Sequence, residues 1–321
     1  YDTAGQALNL VYSGATVGWT PSSDIVNALE PVAPTIQKAI FGYGKTSSDV
    51  SLTNLVNSSG VVATDVTGVG TARNNLAASS YGGDKAIFGY GRTSTQVSMT
   101  NLVNNSGVVA TDVSGVGTAR QSLAAASYGG DKAIFGYGTD SSLTNLVTNQ
   151  GVVGNDVSGV GTARNDLAAA SYGGDKAIFG YGYYYSGGVV NYSLTNKVSN
   201  SGVVASDTTG VGTARYLLAA AGYGGDKAIF GFGTTGSVTG LTNLVSNTGV
   251  VASNVSAVGT ARKGLAAAGY GGDKAIFGYG TTGSLTAITN LVNNSGVVAS
   301  DVSGVGTARE KPAAAGFSYA A

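Results

Sequence analysis

The side chains able to do chemistry in this chain fall into a repeated set and a scattered set. Six Arg close a GTAR string, at Arg73, Arg120, Arg164, Arg215, Arg262 and Arg309, and six Lys open a KAIFGYG or KAIFGFG string, at Lys38, Lys85, Lys132, Lys176, Lys227 and Lys274. Five Asp follow a Gly pair (Asp84, Asp131, Asp175, Asp226, Asp273), and five recur later in the unit (Asp65, Asp112, Asp156, Asp207, Asp301), with Asn254 in the sixth place. Together these supply 22 of the 34 charges. Groups repeated in near-identical surroundings cannot have their pKa values pushed apart as acid–base catalysis requires, so they read as scaffold. An Arg–Asp ion pair within or between units is expected, with an anion-holding array of Arg as its functional alternative.

The scattered set is short. Unrepeated carboxylates are Asp2, Asp24, Glu30, Asp49, Asp140, Asp166 and Glu310, of which Asp49, Asp140 and Asp166 lie in variable stretches. Two such groups could serve glycoside hydrolysis at a suitable separation. With no His and no Cys in the chain, thiol nucleophiles, His bases, disulfides and the usual zinc, haem and copper sites are excluded. No cofactor is expected. GYGKT at residues 42–46 lacks the spacing of a phosphate-binding loop. The most distinctive cluster is aromatic: Tyr183, Tyr184, Tyr185 and Tyr192 share the longest variable stretch, YYYSGGVVNY. Neutral hydroxyls beside exposed rings suit a sugar, whose apolar face stacks while its hydroxyls hydrogen-bond.

What must position these groups is a repeat. Successive KAIFGYG strings start 47, 47, 44, 51 and 47 residues apart, and the length changes fall between each KAIFGYG and the GTAR after it. Each copy holds four short apolar runs, as in residues 123–128 (LAAASY), 132–138 (KAIFGYG), 142–147 (SLTNLV) and 152–157 (VVGNDV), separated by Gly- and Asn-rich turns. Four strands in about 45 residues, six times over, predict an all-β, six-bladed β-propeller. The ends complement one another: the first KAIFGYG lacks an Ala-rich strand before it, and PAAAGFSY near the C-terminus lacks a KAIFGYG after it. The C-terminal strand is therefore expected to close the ring.

The order Arg120, two variable residues, apolar strand, Gly-containing turn and second strand ending in Gly resembles the kelch family of propellers across residues 38–319, although the family's later-strand Trp is missing. The resemblance implies that the Ala-rich strand is innermost and that Ile40 and Phe41 pack within and between blades. Residues 1–37 differ, holding three of the four Pro and the only Trp. Residues 9–21 read as a β-hairpin around Ser13-Gly14. This lead segment followed by the repeats resembles tail and fibre proteins of marine bacteriophages.

Charge and hydropathy bound the partners. Seventeen basic and seventeen acidic residues leave no basic surface for nucleic acid, and no apolar run approaches the length of a membrane span, so neither nucleic acid nor membrane insertion is expected. The chain opens on Tyr1 rather than Met, so a processed or shortened start is expected. The expectation is a non-enzymatic virion structural or receptor-binding protein, located on a virion or outside a cell. Residues 1–37 would attach it to other virion proteins, and residues 38–321 would form a propeller displaying loops toward a host-surface glycan. A secreted bacterial adhesin or lectin and a glycoside-active enzyme are the alternatives, and no residue pattern specifies an oligomeric state.

Overall fold

In the computed structural model the described residues are 10–12, 19–21, 37–256 and 258–318. The chain divides into two compact units, Tyr1–Pro34 and Thr35–Ala321. In the first, Leu10–Tyr12 pairs antiparallel with Trp19–Pro21, the two strands expected of the lead hairpin. Its turn, Ser13-Gly14, lies outside the described residues.

The second unit is all-β, built from six three-stranded antiparallel sheets, with one further hairpin in a loop. First, middle and third strands are Ala77–Tyr81, Lys85–Gly89 and Thr100–Val103; Ala124–Tyr128, Lys132–Gly136 and Thr144–Val147; Ala168–Tyr172, Lys176–Gly180 and Thr195–Val198. The next two sheets use Ala219–Tyr223, Lys227–Gly231 and Thr242–Val245, then Ala266–Tyr270, Lys274–Gly278 and Thr289–Val292. The last joins the two ends of the unit: Ala313–Phe317 pairs with Lys38–Gly42, which pairs with Thr53–Val56. First strands neighbour one another in succession, and Ala313–Phe317 lies beside both Ala266–Tyr270 and Ala77–Tyr81.

Burial follows from sequence. In the middle strand Ala39, Ile40 and Phe41 are all inaccessible, the near-continuous apolar run of a strand covered on both faces. Side chains alternate, so Ile40 packs with Phe88 of one neighbouring sheet and Phe41 with Ile276 of the other. Small residues set the spacing. A Cβ on Gly42 would meet the Phe88 ring at 2.7 Å, and the same clash recurs from Gly278 to Phe41 at 2.8 Å. Only Gly lets the ring of one sheet lie against the backbone of the next.

The fourth apolar run does not form a strand. It is held to the third by isolated bridges, such as Thr53↔Val66 and Val56↔Val62, so three residue steps on one side oppose four on the other. That surplus residue is a bulge, which breaks the ladder. Asn54 compensates: its amide donates to the Ala63 carbonyl at 3.0 Å, replacing a backbone partner.

Candidate functional site

The repeated charges form an internal tie between sheets. Arg73 donates from Nε to the Tyr90 carbonyl (2.9 Å), from Nη1 to the Thr71 carbonyl (3.1 Å) and from Nη2 to Asn101 Oδ1 (2.7 Å). Its guanidinium lies 4.3 Å from the ring centre of Tyr43, which belongs to the preceding sheet. The backbone of Tyr43 is left-handed (φ 62°), which turns its ring beneath the Arg, and its hydroxyl donates to the Val69 carbonyl at 3.0 Å. Asp112 accepts from Asn101 and from the Thr71 amide and hydroxyl, with Arg73 Nη1 3.9 Å away. Partial burial alone would raise the Asp112 pKa, but the hydrogen bonds from Thr71 and Asn101 and the charge of Arg73 lower it. Burial is the main influence on Arg262 and pulls it down to about 10, still charged at neutral pH, with Asp301 opposing. All six Arg of the GTAR strings are at most 1% exposed. The anion-holding alternative is thereby overturned: these guanidinium groups face carbonyls, Asn side chains and rings, not solvent.

The side chains that differ between copies gather elsewhere. In an antiparallel meander the link into the first strand and the link out of the middle strand leave from one end of the sheet, here the end where Ala77 pairs with Gly89. The pair of residues after the Arg of GTAR is different in every copy, as is its second member: Asn74-Asn75, Gln121-Ser122, Asn165-Asp166, Tyr216-Leu217, Lys263-Gly264 and Glu310-Lys311. The first of each pair meets the variable loop of its own sheet, through bridges such as Asn74↔Arg92, Asn165↔Tyr183, Tyr216↔Thr234 and Lys45↔Glu310. The second joins a backbone series. Ser122 donates to the Asn75 carbonyl, Asp166 to Ser122, Leu217 to Asp166, Gly264 to Leu217 and Lys311 to Gly264, at 2.7–2.9 Å. All six have positive φ, from 48° at Asp166 to 63° at Gly264, and all six line one cavity of about 100 Å³. Left-handed backbone at a residue such as Leu217 costs about 1–2 kcal/mol, so the surrounding bonds must hold it.

Beside this cavity sits the tyrosine loop. Tyr183–Tyr185 and Val189–Asn191 form a two-stranded hairpin, and Tyr183 exchanges backbone hydrogen bonds with Asn165 at 2.7 and 2.9 Å. The Tyr183 ring packs on Tyr216 with centroids 4.8 Å apart. Burial first, then the nearby charges of Asp166 and Asp140, raise the Tyr183 pKa, so its hydroxyl stays protonated and able to donate. Tyr185 is 61% exposed, whereas Tyr183, Tyr184 and Tyr192 are half-buried. Of the four tyrosines expected to bind a ligand, only Tyr185 is freely presented, and Tyr183 acts in a pair with a residue that the loop itself does not contain.

The scattered carboxylates divide. Asp49 accepts from Asn74 at 2.6 Å and Asp140 from Asn165 at 2.6 Å, which ties each loop to the link beside it. Asp166 stands in the cavity wall, where burial raises its pKa against a hydrogen bond from Ser122 and the charge of Lys311. Tyr216 and Asn165 were not among the expected site residues. Their signal was present as the two variable positions after each Arg, which interrupt an otherwise regular unit. Among the described residues no cluster of three or more His, Cys, Asp or Glu is placed to hold a metal, and no helix is long and apolar enough to cross a membrane.

No protein-family model matches the chain, and no curated protein sequence does either.

Proposed function

We propose that the second unit is a closed, six-bladed, kelch-like propeller that binds a surface glycan without transforming it. The carrying observation is the segregation of the repeat. Buried positions recur almost unchanged from copy to copy, while the residues after each GTAR and the loops joined to them differ and converge at one end of the sheets. Loops that vary on a rigid scaffold are the usual place for recognition. The Tyr183–Tyr216 pair and the exposed Tyr185 supply flat apolar area, and the exposed Asp140, held by the buried Asn165, supplies polar atoms beside it.

Support for closure is the succession of first strands, in which Ala313–Phe317 neighbours the strands on both sides, and the repeated Gly–Phe fit from Gly278 to Phe41. The lead segment, so different in composition, attaches the propeller to other virion proteins in this reading, and the molecule works on a virion or outside a cell. A glycan array with the full chain, Tyr185→Ala and Tyr183→Ala tests the binding claim. Loss of one stacked ring weakens binding by roughly 1 kcal/mol while the melting temperature of the Tyr185 variant stays unchanged. An array with no bound glycan, or with binding indifferent to both substitutions, sinks it.

A further inference from the structure

The cavity lined by the second variable residues is distinct in chemistry from the tyrosine loop. Its walls present Asn75, Ser122, Asp166 and Lys311, and Leu residues such as Leu76, Leu167 and Leu218 complete its lining. Each of the six copies contributes a different residue at one backbone position, so the cavity wall carries one acidic and one basic side chain among four uncharged residues. Asp166 and Lys311 lie three steps apart along the hydrogen-bonded backbone series. Neither belongs to an ion pair within 4.0 Å among the described residues, although the charge of Lys311 is felt at Asp166. An acidic and a basic side chain thus share a small space without meeting, and burial biases the Asp166 carboxyl toward its neutral form until a cation lies beside it.

We propose that this cavity binds a small zwitterion of α-amino-acid type, its ammonium on Asp166 and its carboxylate on Lys311. A charge moved away from water is tolerated when it is paired and hydrogen-bonded, and a ligand carrying both signs satisfies both walls at once. The cavity, about 100 Å³ and partly open to solvent, suits a small ligand. The leucines suit a hydrogen or methyl group on the carbon between the charges, and Asn75 and Ser122 offer further hydrogen bonds. This site is separate from glycan binding at Tyr185 and does not require it.

The test is calorimetric titration of the full chain with glycine, L-alanine and L-serine, and with acetate and methylammonium as half-ligands. Asp166→Asn keeps a residue that tolerates left-handed backbone, and Lys311→Gln keeps a polar chain, so both variants are expected to melt with the parent. A zwitterion should bind the parent, with each half-ligand and each variant roughly tenfold or more weaker. If Asp166→Asn lowers the melt, Asp166→Gly replaces it at the same positive φ and carries the same expectation. Absence of binding by all three zwitterions, or equal binding to the parent and both variants, overturns the proposal.

Discussion

Arg120 shows at the scale of one residue why the repeated charges are structural. It is 1% exposed, and its donors reach the Tyr137 carbonyl at 3.0 Å, the Thr118 carbonyl at 3.2 Å and Asn145 Oδ1 at 2.6 Å, while its plane lies over Tyr90 of the preceding sheet. Substituting Met keeps much of the volume and removes every donor. Two acceptors, the Tyr137 carbonyl and Asn145 Oδ1, lose their partner in a buried place, so Arg120→Met should cost about 3–5 kcal/mol, read as a fall in the urea midpoint. A loss below about 1 kcal/mol would show that the guanidinium is not holding the two sheets together. Asn254 marks the limit of what charge contributes here. Its Oδ1 accepts from the Thr213 amide at 3.1 Å and from Asn243 at 3.1 Å, so these contacts survive in the copy that has no carboxylate, although there the buried Arg215 Nη2 and Asn243 Oδ1 do not bond to each other. That an Asp and an Arg would meet was legible from their recurrence. That the Arg would be buried and stacked on the sheet before it was not, because one-dimensional spacing says nothing of which ring lies above which guanidinium.

At the scale of the strand, the deciding feature is the fit of a ring against a glycine. Gly136 closes its middle strand, and a Cβ there would stand 2.8 Å from Phe179 Cζ in the adjacent sheet. The ring cannot retreat, since Phe179 is wholly buried and already packed against Tyr137 with centroids 5.1 Å apart. Gly136→Ala should therefore lower stability by roughly 1–3 kcal/mol, the usual cost of overpacking, despite the better strand propensity of a residue with a side chain. A thermal melt equal to that of the parent would mean that neighbouring sheets slide past one another freely. Strand existence was readable from the six-residue apolar runs and their Gly-rich turns. The fourth run misled because VVGNDV has strand composition, and composition does not reveal a bulge or the Asn145 side chain that takes the place of ladder bonds by donating to the Gly154 carbonyl at 3.0 Å.

At the scale of the whole molecule, the proposed closed ring makes the two ends of the second unit neighbours. Gln37 donates its backbone amide to the Ser318 carbonyl at 2.9 Å, and Arg309 reaches the Tyr43 carbonyl at 2.8 Å and Asn54 Oδ1 at 2.8 Å across most of the chain length. If the sheet made of Ala313–Phe317, Lys38–Gly42 and Thr53–Val56 is an ordinary blade, the chain can be opened anywhere that backbone is exposed and unneeded. The tip of the tyrosine hairpin, Ser186-Gly187-Gly188, is such a place, because the Cβ built at either Gly meets nothing within 4 Å. Exposed loop tips are where circular permutation is tolerated. A permutant joining Ser318 to Gln37 through a short Gly linker and starting at Gly188 should fold and melt in one cooperative step close to the parent. Removing residues 311–321 instead strips the first strand from that blade, exposes two strand edges and should lower the melt and broaden it. The contrast separates closure from a linear stack: in a stack the terminal strand is a cap whose loss frays one end only, and tying Ser318 to Gln37 would strain the chain. A truncated chain that melts with the parent, or a permutant that does not fold, would therefore reject the ring.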